Sequence, residues 1–61
     1  MFKLTKTRET NLEVLINIDK IDCLLQLEDG DTMVLLSSQK KIYLKGDIES
    51  NMAILGLKSG E

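Results

Sequence analysis

The sequence predicts a small β-rich α+β fold: an antiparallel five-stranded meander, or a partly closed barrel, followed by one short C-terminal helix. Three observations lead to this prediction. Short runs of alternating apolar and polar residues recur up to Lys45, and polar or glycine-containing turns separate them. After Gly46 the apolar period changes from two residues to that of an α-helix. With 61 residues, the whole chain (1–61) is predicted to form a single domain.

The first two strands are predicted to form a hairpin. Phe2 and Leu4 alternate with polar residues in a strand that should end near Thr7. The polar segment 8–11 follows and ends in Asn11, a turn residue that tolerates left-handed backbone. Alternation then resumes with four aliphatic residues at a spacing of two: Leu12, Val14, Ile16 and Ile18.

The third predicted strand places four apolar residues on one face: Ile21, Cys23, Leu25 and Leu27. Because Cys23 lies within this apolar set and has no basic neighbour to lower its pKa, we expect a buried packing residue and not a reactive thiol. The strand should end at the segment 28–31, a turn around Gly30. The carboxylates of this segment lack the twelve-residue spacing of a calcium-binding loop, which favours a solvated turn.

Two more strands and a helix complete the prediction. The segment 32–36 forms the fourth strand, and 41–45 forms the fifth, with Ile42 and Leu44 on one face. The helix is predicted over about 47–56, where the apolar stripe consists of Ile48, Met52 and Leu55. Asp47 is the expected N-cap and Gly56 the expected C-cap, while residues 58–61 should form a frayed tail.

Composition argues against several classes of function. The chain has one cysteine and no histidine, so an internal disulfide is excluded and a zinc site is implausible. We expect no cofactor, no metal and no catalytic residues, because so small a domain has little room to enclose a substrate. The net charge of -2 is spread along the chain, and no signal peptide or membrane span is visible. A cytoplasmic protein is therefore predicted.

A second apolar surface is the main functional indication. Five residues would lie on the strand face opposite the helix: Leu15, Leu24, Met33, Leu35 and Tyr43. A single short helix can cover only one face of a sheet, so this face predicts a protein interface, either in a homo-oligomer or with a protein partner. Closure of the sheet into a barrel, or exposure of a few isolated apolar residues, is the alternative.

A basic and aromatic cluster provides a rival interpretation. It consists of Lys40, Lys41, Tyr43 and Lys45, and alternation would place the last three on one face. Such a face could stack on bases and neutralise phosphates of RNA or single-stranded DNA. Lysines that protect a sheet edge from aggregation explain the same pattern and are the favoured interpretation.

Four segments of the chain resemble the FlbD/SwrD-type flagellar motility protein family. Met1–Lys6 is similar to the family's M-I-K-L-T-R, and Ile16–Asp22 is similar to its L-N-x-D-x-I-E. Gly30–Leu36 resembles P-D-T-x-I-x-L, and Lys40–Lys45 resembles G-K-K-x-x-V-K. The resemblance implies a cytoplasmic accessory protein that supports flagellar function through protein contacts, without catalysis.

The chain also departs from that family. Gln39 stands where the family usually has a turn glycine, and Gly46-Asp47 stands where it usually has Glu-Ser. About two additional residues lie between Ile21 and Thr32. A further alternative, a phage-encoded inhibitor or sponge of a host defence system, is motivated only by the small size, the absence of proline and the predicted interaction surface.

Overall fold

A computed structural model of the chain describes residues 1–57. Five strands and one α-helix lie in this part of the chain. Their bounds are β1 Phe2–Lys6, β2 Glu13–Asn17, β3 Ile21–Gln26, β4 Thr32–Leu36, β5 Lys41–Leu44 and α1 Ile48–Leu55. The order and type of the predicted elements are confirmed, whereas the predicted tail, 58–61, lies outside the described residues.

The strands form two antiparallel sheets instead of the predicted single meander. β1 pairs with β2, and β3, β4 and β5 form a second sheet in that order. Within residues 1–57 the strands do not close into a barrel. A turn of 3-10 helix, Ile18–Lys20, separates β2 from β3 and redirects the chain, so these two strands do not pair. The sheets meet at an isolated bridge between Thr7 and Leu44.

The predicted hairpin of β1 and β2 is confirmed. Its register pairs Leu4 with Leu15 and Lys3 with Ile16. Asn11 adopts a left-handed backbone with a φ of 58°, as its position in the turn predicts.

The core lies between the two sheets and the helix. Four hydrophobic residues are almost fully buried: Ile16, Val34, Leu44 and Leu55. Seven half-buried residues pack around them: Val14, Ile18, Ile21, Leu24, Leu36, Ile42 and Leu57. Ile42 and Leu44 share one face, as their alternation predicts, and this face and Ile16 point into the core. A domain with a core this small has little stability to spare.

The predicted orientation of β3 is wrong from Cys23 onward. The pairing of β3 with β4 shifts register between Ile21 and Cys23, which is the signature of a β-bulge. An extra residue reverses the faces of all later residues in a strand. As a result Cys23 and Leu25 are exposed, and Leu24 packs against the core.

The helix has both predicted caps. The Asp47 carboxylate accepts a hydrogen bond from the Ser50 backbone N–H at 2.9 Å, and Gly56 ends the helix with a φ of 75°. Leu55 is buried, whereas Ile48 and Met52 are only half-buried. The stripe that faces the core also contains Asn51, which is 1% exposed. Within residues 1–57 no helix is long and apolar enough to cross a membrane.

A polar contact fixes the start of the helix against β3. The side-chain oxygen of Gln26 accepts a hydrogen bond from the Ile48 backbone N–H at 2.8 Å, and its amide nitrogen donates to the Asp31 carbonyl at 3.0 Å. These contacts satisfy one of the helix's unpaired N–H groups. Gln26 therefore attaches the helix to the three-stranded sheet.

Candidate functional site

The face of the three-stranded sheet that points away from the core carries contiguous apolar side chains. Two cross-strand rows build it, because directly paired residues share a face. In the first row Met33 lies between Leu25 and Tyr43, and in the second Leu35 lies between Cys23 and Lys41. We refer to these six residues as the outer face.

Much of the outer face is accessible to solvent. The exposed fraction is 52% for Leu25 and 36% for Tyr43, and Cys23 is also exposed. Met33 and Leu35, on the central strand, are half-buried by their neighbours. Lys41 is the only charged member of the outer face, so an apolar and neutral surface extends across all three strands.

The five residues predicted to form the interface do not share one surface. Met33, Leu35 and Tyr43 lie together on the outer face. Leu24 lies on the opposite side of the sheet and packs against the core. Leu15 is 60% exposed but belongs to the other sheet, where it pairs with Leu4.

Cys23 and Leu25 also belong to the outer face, which the alternation of apolar residues in β3 did not predict. Residues 23–25 are all apolar, so either phase of alternation gives a plausible apolar face. The bulge that selects the phase lies at Asp22, between two paired positions, and no glycine or proline marks it. Gln26, which alternation also placed outside, is used instead to hold the helix.

Arg8 connects the edge of the outer face to the turns around it. Its guanidinium lies 4.9 Å from the centre of the Tyr43 ring, a cation–π distance. One guanidinium nitrogen lies 3.1 Å from the Asp29 carboxylate and 3.5 Å from that of Asp31, while the other lies 3.0 Å from Glu9. The hydrogen bond to Glu9 is the main cause that raises the pKa of Arg8, partly offset by desolvation. Three carboxylates thus surround the one arginine beside Tyr43.

The four residues proposed as a nucleic-acid contact are only partly brought together. Lys41 and Tyr43 share the outer face. Lys40 lies in the turn before β5 and lines a cleft between the sheets, whereas Lys45 follows β5 and lines a separate depression beside Ile54. Lys40 and Lys41 both line a depression beside Tyr43, whereas Lys45 lies apart, so the four residues do not form one basic face.

The carboxylates of the turn before β4 make local contacts. Within residues 1–57 no group of three or more histidine, cysteine, aspartate or glutamate side chains is placed to hold a metal ion. The turn carboxylates contact Arg8 and backbone N–H groups: the Asp29 carboxylate accepts from the Asp31 N–H at 3.0 Å, and the Asp31 carboxylate accepts from the Gly46 N–H at 3.0 Å.

Comparisons with known proteins do not identify a relative. No family model, curated protein or solved structure matches the chain.

Proposed function

We propose that this chain is a non-enzymatic, protein-binding accessory or regulatory module that self-associates through the outer face. The observation that carries the proposal is the continuous apolar surface across β3, β4 and β5, with Leu25 and Tyr43 exposed beside Met33 and Leu35. The helix packs on the opposite side, so the part of the chain described leaves this face uncovered. Burial of such a surface against another protein is favourable because it removes apolar area from water.

A second copy of the chain suits this face. A two-fold symmetric dimer places the same residues of both copies against each other, which brings like charges together wherever the surface is charged. The centre of the outer face is neutral, and Lys41 lies at one end of its row. Self-pairing of the face therefore has little electrostatic cost.

The size of the face limits the strength of association. Three strands of about five residues present an area of roughly 14 by 17 Å. Standard interfaces bury about 800 Å² of each partner, and the outer face offers less than this. The proposed dimer is accordingly weak, and it forms at high micromolar protein concentration.

Sedimentation velocity from micromolar to millimolar concentration tests the proposal. The wild type should shift from monomer to dimer, and Leu35→Asp, which places a charge in the centre of the face, should remain monomeric. Leu12→Asp is the matched control, since Leu12 is 64% exposed but lies in the first hairpin. A wild type that stays monomeric throughout, or dimers that survive Leu35→Asp and not Leu12→Asp, would contradict the proposed interface.

The biological setting of this module is also a proposal. The resemblance to FlbD/SwrD-type proteins supports a cytoplasmic role in flagellar motility, in which the outer face contacts the chain itself or another protein. Neighbouring genes for flagellar components, together with a motility defect on deletion that Leu35→Asp fails to restore, would support that setting. A neighbourhood of phage genes would instead support the inhibitor of a host defence system.

Binding of RNA or single-stranded DNA is the less favoured alternative. Lys41 and Tyr43 share a face, but the three carboxylates around Arg8 lower the positive potential beside the Tyr43 ring. A double variant, Lys41→Glu with Lys45→Glu, tests this function by fluorescence anisotropy with a labelled single-stranded oligonucleotide. If wild type and variant have the same affinity, this function is excluded.

A further inference from the structure

A cleft of about 580 Å³ separates the first hairpin from the three-stranded sheet. Its walls are largely apolar, with Phe2 and Leu15 on the hairpin side and Leu36 and Ile42 on the other. Phe2 is 58% exposed and Leu15 is 60% exposed, so these side chains lack cover in the part of the chain described. No residue of the outer face lines this cleft.

The lining pattern shows that the cleft runs along strand edges. Side chains of a strand alternate between its faces, so a groove over one face is lined by every second residue. Here four consecutive residues of β2, numbers 14–17, line the cleft. An adjoining depression of about 320 Å³ is lined by four consecutive residues, 40–43, at the start of β5. Val14, Lys40 and Ile42 line both spaces, which makes them one continuous groove.

The edge of β2 that borders this groove has unpaired backbone groups. The Thr7 N–H donates to the Leu12 carbonyl at 2.9 Å, so Leu12 and every second residue after it bond to β1. The intervening residues, Glu13, Leu15 and Asn17, direct their backbone N–H and C=O groups to the other side. Within residues 1–57 no strand pairs with that side of β2.

The facing edge of β5 is unpaired over part of its length. The Leu36 N–H donates to the Lys40 carbonyl at 3.0 Å, which assigns the even-numbered residues of β5 to the ladder with β4. Lys41 and Tyr43 therefore direct their backbone groups into the groove. The Tyr43 carbonyl already accepts a hydrogen bond from the Arg8 backbone N–H at 2.8 Å. Lys41 forms no backbone hydrogen bond on this side within the described residues.

Three of the four charged side chains that line the groove are lysines. Lys20 and Lys40 line the cleft, and Lys41 lines the adjoining depression. No carboxylate of the described residues lines the cleft itself, and Glu9, in the depression, is paired with Arg8 at 3.0 Å. The groove is thus basic in a chain whose net charge is -2.

We propose that this groove binds an extended segment of a partner protein, with alternating apolar and acidic side chains, by addition of a strand to the edge of β2. Unpaired edge groups supply the main-chain hydrogen bonds, as in other cases of strand addition. Phe2, Leu15 and Ile42 receive the apolar side chains, and the lysines pair with the carboxylates. This partner differs from the second copy proposed for the outer face.

Fluorescence anisotropy with three synthetic peptides tests the proposal. The probe is a fluorescein-labelled Glu-Val-Glu-Ile-Glu-Val-Glu; one control replaces each Glu by Lys, and the other carries N-methyl groups on alternate backbone nitrogens. Only the unmodified acidic peptide should bind, since the first control reverses the charges and the second removes backbone donors. Equal binding of either control, or absence of binding at millimolar protein, would overturn the proposal.

Variants of the protein locate the site. Lys40→Glu should weaken binding of the acidic peptide about fivefold or more, while Lys45→Glu, an identical charge change outside the groove, should have little effect. Leu15→Pro removes the Leu15 backbone N–H, which points to the groove and does not bond to β1, and this should also weaken binding of the peptide. Leu35→Asp should retain the wild-type affinity, which separates this site from the outer face. The proposed peptide site would be refuted if Lys40→Glu and Lys45→Glu bound the acidic peptide with equal affinity. It would also be refuted if a single-stranded oligonucleotide displaced the labelled peptide and unlabelled peptide did not.

Discussion

Asn51 is the polar residue that joins the helix to both the sheet and the preceding loop. Its side-chain nitrogen lies within hydrogen-bond distance of the Lys45, Gly46 and Asp47 carbonyls, at 3.1, 3.1 and 2.9 Å. It also lies 3.2 Å from the Thr32 hydroxyl, which itself donates to the Gly46 carbonyl at 2.8 Å. Within the described residues no buried side-chain nitrogen or oxygen lacks a partner. The two N–H groups of one amide are thus shared among several acceptors.

Replacement of Asn51 by alanine should therefore destabilise the fold. Asn51→Ala leaves the Lys45 carbonyl without its donor and weakens the contacts with Thr32, Gly46 and Asp47, so we expect the free energy of unfolding to fall by about 2 kcal/mol. Urea denaturation at constant protein concentration measures the loss. Glu49→Ala, at an exposed position of the same helix, is the control and should change stability by less than about 0.5 kcal/mol. Equal stability of the two variants would show that the Asn51 contacts contribute nothing.

Gln39 lies in the turn between β4 and β5, in a backbone conformation that favours glycine. A glycine would be the usual residue at this point of the hairpin between β4 and β5 because the backbone is left-handed. Gln39 adopts that conformation with a φ of 70°, and its N–H donates to the Leu36 carbonyl at 2.8 Å. Gln39 thus forms the tight turn at the cost of some backbone strain.

At the scale of elements, the orientation of β3 is the property that the sequence did not predict. Local signals, such as turn residues, caps and strict alternation, were sufficient for the strand bounds and for the inward faces of β2, β4 and β5. The bulge in β3 depends on how that strand meets β4, which is a tertiary property. For the same reason the outer face was predicted with Leu24 in place of Leu25.

The orientation of β3 can be tested by cysteine reactivity. At low protein concentration, iodoacetamide should modify Cys23 in the folded protein at nearly the rate measured in denaturant. In a Cys23→Ser background, Leu24→Cys should react at least about tenfold more slowly than Cys23 does in the wild type, because residue 24 packs against the core. Protection of Cys23 together with rapid reaction at position 24 would contradict the bulged register.

The division into two sheets has a similar origin. The alternating residues 12–18 predict a strand that could continue as one partner of β3, but the segment Ile18–Lys20 forms a turn of 3-10 helix. The Asn17 side chain accepts a hydrogen bond from the Asp19 N–H at 3.2 Å and caps this turn. Asparagine is a common capping residue, yet its use at this position competes with strand propensity and could not be decided locally.

The helix offers a test of pH dependence at its N-cap. Hydrogen bonds from the Ser50 side chain and then from its backbone N–H lower the pKa of Asp47 in the folded protein. Because the folded pKa lies below the unfolded one, the ionised cap stabilises the fold above about pH 4 and this contribution is lost as the pH falls further.

Two substitutions at position 47 separate capping from charge. Asp47→Asn should have nearly the wild-type melting temperature at neutral pH, since asparagine caps equally well. On acidification its melting temperature should fall less than that of the wild type. Asp47→Ala should melt several degrees lower at neutral pH. Thermal melts followed by circular dichroism between neutral and acidic pH give both results, and an Asp47→Asn curve that parallels the wild type in acid would contradict the assignment.

At the scale of the whole molecule, a small core is combined with a large amount of exposed apolar surface. Four hydrophobic residues are fully buried, whereas eight large hydrophobic side chains of the described residues are exposed, among them Phe2, Leu15 and Leu25. The chain has no disulfide to compensate, since it contains one cysteine. The proposed association with another chain would bury part of this surface and stabilise the fold.

Self-association through the outer face therefore predicts a melting temperature that depends on concentration. Because only folded chains dimerise, dimerisation stabilises the fold by mass action. Each tenfold rise in protein concentration above the dissociation constant should raise the free energy of unfolding by at most about 1.4 kcal/mol per dimer. Differential scanning calorimetry of the wild type should show a melting temperature that rises with concentration. Leu35→Asp should melt at one temperature throughout the range, and Leu12→Asp should follow the wild type. If the wild-type melting temperature is also constant up to millimolar protein, self-association through the outer face is excluded.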